Sequence, residues 1–271
     1  MTPEQRYLLD LQGYLHLPGA LSGAELTAAQ DAVQRMQQTP PDKLPPGIDR
    51  RGLNFSNGFS FDPALERLAL HPSTWPVVRE LTADRPRLAS GTLRINTHED
   101  SSFFGFHCAL ASPGQVDWPR FDVREGRLFC DMFVVFFYFD DVREGDGGLV
   151  VIPGSHKTQV ERPATLFQPV SPEEDPEPHP AFTNVLAKAG DAIVLTELTT
   201  HGALAWKPAD RNRAFMMLRY APQYVGSTDG NLPFPIPPEV TSRLLPQTQE
   251  LIEFTARDVV KEIVGSDRPL E

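Results

Sequence analysis

The sequence predicts an α+β domain in which helices come first and an antiparallel β-core follows. Near the N-terminus, apolar residues recur at spacings of three and four, which is typical of amphipathic helices. From residue 86 onward the pattern changes to short segments rich in β-branched and aromatic residues. Turn signals, and no helical patterns, separate these segments, and this favours an antiparallel sandwich or barrel. The predicted strands are 90–97, 129–139, 148–152, 183–187, 191–195 and 213–220.

The N-terminal part predicts three helices and two connecting segments. The helices cover 3–11, 23–37 and 72–83, the last one starting at His71-Pro72-Ser73. A short alternating segment, 13–18, predicts a strand that ends at a proline. Residues 39–62 contain four prolines and predict a long loop.

The β-region predicts a buried central strand and ends in a helical tail. The run 132–139 is apolar on both faces, as expected of a strand covered on both sides. The tail, 238–264, has apolar residues at helical spacing. Because no linker interrupts the chain, we expect one domain with helical support at 1–85, a β-core at 86–225 and a helical extension at 226–271.

Charge and cysteine content exclude several classes of partner. The chain has 271 residues, with 25 Lys+Arg against 36 Asp+Glu and a formal net charge of −11. This balance disfavours nucleic acid or an anionic membrane as a partner. Two cysteines are too few for a disulfide framework or a zinc cluster. The N-terminal residues show no secretory pattern and the sequence has no long apolar run, so we expect a cytoplasmic protein.

Two histidines are candidates for metal binding. His107 follows an aromatic, strand-like stretch, and His201 follows the predicted strand 191–195. Neutral imidazoles from distant strands of a β-core can bind iron, zinc, copper or nickel. The alternative is that each is a buried, hydrogen-bonded histidine with a structural role.

Arg213 is a candidate for binding an anion. It begins a largely apolar predicted strand, twelve residues beyond His201. An arginine that points into an apolar barrel needs a carboxylate or phosphate partner, because an unpaired buried charge is costly. A small dicarboxylate next to a metal would provide that partner; the alternative is an arginine that faces solvent.

Other catalytic motifs have no support. The glycine-rich segment 144–148 lacks the Gly-Lys-Ser/Thr ending and the helix of a phosphate loop. His156 is expected to be a turn residue. Neither a Gly-x-Ser-x-Gly elbow nor a His-Glu-x-x-His pair occurs, so the sequence does not support a serine hydrolase or a zincin.

Several motifs together resemble the phytanoyl-CoA dioxygenase family of non-haem iron, 2-oxoglutarate-dependent oxygenases. The most specific is the strand FVVFFYFDDV followed by GDGGLVVIPGSHK. The opening DLQGYLHLPGALS is similar to the first strand of that family. The stretch AGDAIVL, followed by Thr-His-Gly and Arg213, is similar to its C-terminal metal and co-substrate region.

The resemblance implies a fold, two cofactors and a set of site residues. The fold would be a double-stranded β-helix, or cupin-like jelly roll, braced by N-terminal helices. His107 and His201 would bind Fe(II), and Arg213 would bind the distal carboxylate of 2-oxoglutarate. The expected activity is the oxidation, by hydroxylation, of a C–H bond in a small organic molecule with dioxygen as co-reactant.

One position departs from the pattern of the family. Its first metal motif is His-x-Asp or His-x-Glu, whereas this chain has His107-Cys108-Ala109. Three interpretations keep a metal in the site: chloride fills the position, as in related iron halogenases; two histidines with water hold the iron; or another carboxylate reaches it. In a fourth, the protein has lost catalysis and keeps a binding role. The carboxylates considered are Asp117, Asp122, Asp131 and Glu197.

The substrate is less well indicated. Aromatic residues near the expected site could line an apolar pocket, although aromatic residues more often fill a core. The residues considered are Phe104, Phe106, Trp118 and Trp206. The sequence leaves the identity of the small-molecule substrate and the oligomeric state open.

Overall fold

The computed structural model describes most of the chain. The described residues are 1–99, 104–108, 121–158, 179–225 and 236–255, together with 160, 163 and 166. Ala109, Asp117 and Trp118, which the sequence singled out, lie outside these ranges.

Helices occur at both ends of the described chain. The first two begin at capping boxes, in which Thr2 and Ser22 each accept a hydrogen bond from the backbone three residues ahead. These helices agree with the predicted 3–11 and 23–37. The helices are α1 Pro3–Gln12, α2 Gly23–Gln38, α3 Pro63–Glu66, α4 Trp75–Leu81, α5 Pro238–Thr241 and α6 Pro246–Ile252.

The strands of the described residues form two larger antiparallel sheets and a hairpin. The large sheet has the order β1-β11-β8-β13-β4-β3-β2, the small sheet has the order β10-β9-β12-β5, and β6 pairs with β7. The strands are β1 Tyr14–Leu17, β2 Asp49–Arg51, β3 Asn54–Ser56, β4 Pro86–Asn96, β5 Phe104–His107, β6 Phe121–Arg124, β7 Arg127–Cys130, β8 Phe133–Tyr138, β9 Gly148–Val151, β10 Thr183–Asn184, β11 Ala192–Thr196, β12 His201–Leu204 and β13 Arg213–Pro222.

The large sheet separates two apolar cores. Alternate residues of β8 point to opposite faces, and all six are buried. Phe133, Val135 and Phe137 join a cluster with residues of the helices, whereas Val134 and Phe136 join a second cluster between the sheets. This arrangement is the jelly roll that the sequence predicts, with helices bracing its outer face.

Several predicted elements differ from the structure. The predicted strand 183–187 is shortened to Thr183–Asn184, and the predicted helix 72–83 is shortened to Trp75–Leu81. Residues 39–62, predicted as a loop, contain the short strands β2 and β3, since β3 extends the ladder of β4. The predicted strand 129–139 breaks at Asp131 and Met132, where the chain passes from the hairpin to the large sheet. The predicted tail helix, 238–264, divides into α5 and α6 because Pro246 begins a new helix. Residues 253–255 are not helical, and 256–264 lie outside the described residues.

Among the described residues, the structure contains no helix of the length and apolarity needed to cross a membrane.

Candidate metal and co-substrate site

Two histidines lie side by side on neighbouring strands of the small sheet. His107 ends β5 and His201 begins β12, and the two residues are direct partners in the antiparallel ladder. Side chains of such partners point to the same face of a sheet. The ring centroids are 4.2 Å apart, with an angle of 54° between the ring planes. The fold therefore brings together the two histidines that the sequence selected.

The same local hydrogen bond orients both rings. Nδ1 of His107 lies 2.9 Å from the carbonyl oxygen of Gly105, and Nδ1 of His201 lies 2.7 Å from that of Thr199. A carbonyl oxygen only accepts, so each Nδ1 carries the proton and each lone pair is on Nε2. Burial, together with the neighbouring His107, lowers the pKa of His201 to about 4. An imidazole that donates a hydrogen bond through Nδ1 can bind a divalent metal ion through Nε2.

Arg213 is buried inside the barrel with little compensation for its charge. Its Nη2 donates to Oδ1 of Asn96 at 2.6 Å, and its Nε has no hydrogen-bond partner. In the described part of the chain it forms no ion pair with a carboxylate. Burial lowers the pKa of the guanidinium to about 10, so it stays charged at neutral pH. A buried charge in this state suits an anionic ligand.

Aromatic rings surround the Arg213 guanidinium. Its central carbon lies 5.5 Å from the ring centroid of Trp206 and 5.0 Å from that of Phe215. Trp206 is itself fixed, because its indole nitrogen donates to the carbonyl oxygen of Arg211 at 2.8 Å. These rings exclude water, which strengthens any charge-assisted hydrogen bond to a bound carboxylate.

The registers of the strands place Arg213 and the histidine pair along one axis. A Cβ atom at Gly148 would overlap Nη1 of Arg213, so Arg213 lies level with Gly148. Gly148 pairs with Leu204, and His201 lies three residues from Leu204 on the same strand. Three residues span about 10 Å. The separation suits a short dicarboxylate held at one end by the arginine and directed at the histidines.

The described carboxylates do not complete a three-residue metal site. No three His, Cys, Asp or Glu side chains of the described residues gather around a common position. Glu197 is buried close enough to His201 to raise its pKa, but its Oε1 accepts from Nε of Arg219 at 2.6 Å. Asp122 lies on the β6–β7 hairpin and pairs with Arg124. Asp131 is buried at the turn between β7 and β8.

The aromatic candidates separate in the fold. Trp206 covers Arg213, as described above. Phe106 stacks on Phe182, with ring centroids 4.1 Å apart. Successive residues of a strand point to opposite faces, so Phe106 does not share the face of His107. Phe104 lies on β5, and its side chain is outside what the structure describes. His156, expected in a turn, is buried in a single 3-10 turn at Ser155–Lys157.

Sequence reasoning missed three groups that position the site. These are Asn96, which holds Arg213, and the carbonyl groups of Gly105 and Thr199, which orient the histidines. Asn96 ends the alternating segment of β4, but nothing in the sequence pairs it with Arg213. Carbonyl groups leave no signal in a sequence at all.

Comparison with known proteins identifies the family and the fold of the chain. The profile of the phytanoyl-CoA dioxygenase family matches residues 9–214. HygX from Streptomyces hygroscopicus, solved with nickel and 2-oxoglutarate, has a similar fold, with 21% identity over 82% of this chain and 87% of that chain and a TM-score of 0.67. EctD from S. alaskensis is 18% identical over 82% of this chain and 78% of that chain, with a TM-score of 0.59.

A third protein with a similar fold is an epimerase. SnoN, a non-haem α-ketoglutarate-dependent epimerase from nogalamycin biosynthesis, is 18% identical over 82% of this chain and 83% of that chain, with a TM-score of 0.57. No curated protein sequence gave a significant match. At these identities the structures establish only the fold. The family profile covers most of the chain, and it therefore establishes the family. The chain therefore belongs to the phytanoyl-CoA dioxygenase family of iron- and 2-oxoglutarate-dependent enzymes.

Proposed function

We propose that this protein is an iron(II)- and 2-oxoglutarate-dependent oxygenase that hydroxylates a C–H bond of a small organic molecule. The observation that supports this most strongly is that His107 and His201 are partners in one ladder and that both Nδ1 atoms are hydrogen-bonded to carbonyl oxygens. Iron(II) and 2-oxoglutarate, when bound, supply the activation of dioxygen that such an oxidation needs.

The residues of the chain have separate roles in this proposal. His107 and His201 hold the metal through Nε2. Arg213 binds the distal carboxylate of 2-oxoglutarate, and Asn96 orients the guanidinium by accepting from Nη2. Trp206 keeps water from that end of the pocket. The dicarboxylate then provides the partner that the buried guanidinium lacks within the described chain.

The ligation differs from that of a typical family member, because Ala109 stands in place of a carboxylate. We infer that the two histidines and bound 2-oxoglutarate hold the metal, with water or an anion at the remaining position. Oε1 of Glu197 already accepts from Nε of Arg219, so Glu197 would have to share or give up this ion pair in order to bind the metal.

The first test uses anaerobic titration with Fe(II) and 2-oxoglutarate. We expect a visible charge-transfer band in the wild-type protein that is lost in His201→Ala. His179→Ala, which changes an exposed histidine of the described chain, should keep the band. Absence of the band in the wild type, with no metal retained at micromolar excess, would favour a protein that keeps the fold for binding alone.

A halogenase is the second candidate, and the alanine at position 109 is the observation that favours it. If chloride occupies that position, adding chloride to the Fe(II) complex should change its spectrum and its affinity for 2-oxoglutarate. An unchanged spectrum and affinity would count against halogenation.

The variant Ala109→Asp separates the two reactions further. A restored carboxylate should tighten iron binding in either case. In a halogenase it should abolish halogenation, because the carboxylate takes the position of chloride. A gain of hydroxylase activity would indicate instead that the natural chain is a weakened hydroxylase.

A further inference from the structure

The inner face of β4 and β13 lines an accessible chamber. Over residues 90–94 of β4 and 217–219 of β13, half-exposed residues alternate with buried ones. The half-exposed residues are direct or near neighbours in the ladder: Arg219 pairs with Ser90, and Met217 pairs with Thr92. Arg219 also pairs with Val134, which belongs to the cluster between the sheets. These residues therefore face the interior of the jelly roll and not solvent outside it.

Arg219 lies at the far end of this chamber from Arg213. Both arginines are on the same face of β13, six residues apart, which corresponds to about 20 Å of extended strand. The histidine pair lies at about half that distance, as the registers of β9 and β12 show. A 2-oxoglutarate molecule anchored at Arg213 and directed at the histidines would not fill the half of the chamber that contains Arg219.

Arg219 presents its guanidinium to that half of the chamber. Its Nε donates to Oε1 of Glu197 at 2.6 Å, which fixes the side chain. The Arg219 side chain is 30% exposed, whereas that of Glu197 is 7% exposed, so the cation is the accessible part of the pair. The hydroxyl of Ser90 lies opposite on β4. A fixed guanidinium beside a hydroxyl is a binding arrangement for a carboxylate or a phosphate.

The same face concentrates positive charge in an acidic protein. Arg213 and Arg219 belong to this face of β13, and Arg94 lies on the same face of β4 opposite Phe215, although the chain carries a net charge of −11. Clustered charge in a low-dielectric cleft attracts ligands of the opposite charge. The dianion 2-oxoglutarate accounts for the end at Arg213 but not for the end at Arg219.

We propose that Arg219 anchors the substrate, and that the substrate carries a carboxylate or phosphate group. The inference rests on the proposed function, which places the co-substrate at Arg213 and the metal at the histidines. Glu197 is then a positioning residue: it orients Arg219 and weakens its pull on the anion.

The test measures binding of small probes to protein loaded with manganese(II) and saturating 2-oxoglutarate, by calorimetry under nitrogen. Phenylacetate and phenyl phosphate carry the anionic group, and phenylacetamide is the neutral match. We expect the wild type to bind at least one anion more than tenfold tighter than the amide. The anion that binds better identifies a carboxylate or a phosphate as the natural group.

Two variants give opposite expected results. Glu197→Gln removes the negative charge beside the guanidinium, so anion binding should tighten by severalfold. The double variant Glu197→Gln/Arg219→Gln removes both charges without leaving a buried carboxylate unpaired, and it should lose the preference for anions at unchanged affinity for 2-oxoglutarate. If Arg219 only held Glu197 in place, Glu197→Gln would not tighten anion binding.

The outcomes also separate this inference from the proposed function. Equal binding of anions and amide by the wild type, or a preference that survives in the double variant, would overturn the role of Arg219. Arg213→Gln tests the proposed function in the same assay, through its affinity for 2-oxoglutarate. An unchanged affinity in that variant would overturn the placement of the co-substrate instead.

Discussion

Gly148 offers a sharp test of the co-substrate pocket, because its neighbour is the candidate anchor Arg213. Gly148 has a φ of +87°, and a Cβ atom there would overlap Nη1 of Arg213. Gly148→Ala therefore has two effects. It strains the backbone by about 1–2 kcal/mol, and it pushes the guanidinium away from Asn96 and from the expected carboxylate.

Gly145 provides a matched control for the backbone strain. It lies in the same turn region with a φ of +84°, and a Cβ atom there would have no neighbour within 4 Å. Gly145→Ala should thus show the backbone strain alone. A strain of about 1–2 kcal/mol corresponds to a loss of roughly 2–8 °C in Tm for a chain of this size.

The two variants should differ in their affinity for 2-oxoglutarate. A hydrogen bond to a charged group contributes about 1.5–3 kcal/mol, so its loss corresponds to a decrease in affinity of roughly 10- to 150-fold. We expect this decrease for Gly148→Ala and no decrease for Gly145→Ala, measured by anaerobic titration of the manganese(II)-loaded protein. Equal affinities in the two variants would refute the assignment of Arg213 as the anchor.

Three further predictions concern stability. His156 is buried, and burial lowers its pKa to about 4. The unfolded chain therefore binds more protons than the folded chain between pH 6.5 and 4, and stability falls as the pH falls through that range. His156→Gln should flatten this part of the Tm–pH curve of the metal-free protein. Asp191 accepts hydrogen bonds from the backbone of Gly19 and Lys188, so Asp191→Asn should cost about 2 kcal/mol in urea unfolding at pH 7 and leave 2-oxoglutarate binding unchanged. Gly13→Ala should cost more, because Gly13 has a φ of +79° and its Cβ would lie 2.5 Å from His156; a Tm within 2 °C of the wild type would contradict this prediction.

Much of the architecture was predictable because local patterns determine it. Helices α1 and α2 follow from apolar spacing and from capping residues that act within one turn. The central strand β8 follows from its continuous apolar run. The short strands β2 and β3 were not predictable, because they depend on pairing with β4 and their own residues, such as Asp49 and Arg51, have little strand preference.

Some features of the site were also predictable from the sequence, and others were not. The sequence by itself selected His107, His201 and Arg213, since the chemistry of these side chains is visible in their residue types and, through resemblance, in their motifs. Only the tertiary structure decided that the two histidines are partners in one ladder and that the arginine is buried without a carboxylate among the described residues. Register and burial depend on contacts between distant parts of the chain, which no local pattern records.

Glu197 and Arg219 also show that a sequence does not reveal which side chains become partners. The sequence indicated Glu197 as a carboxylate that could reach the metal, on the ground of its closeness to His201 along the chain. The fold joins Glu197 to Arg219 by an ion pair, and the register of β13 faces that pair into the chamber. The residue types were readable from the sequence, but their partners were not, because partners are set by the closure of the barrel.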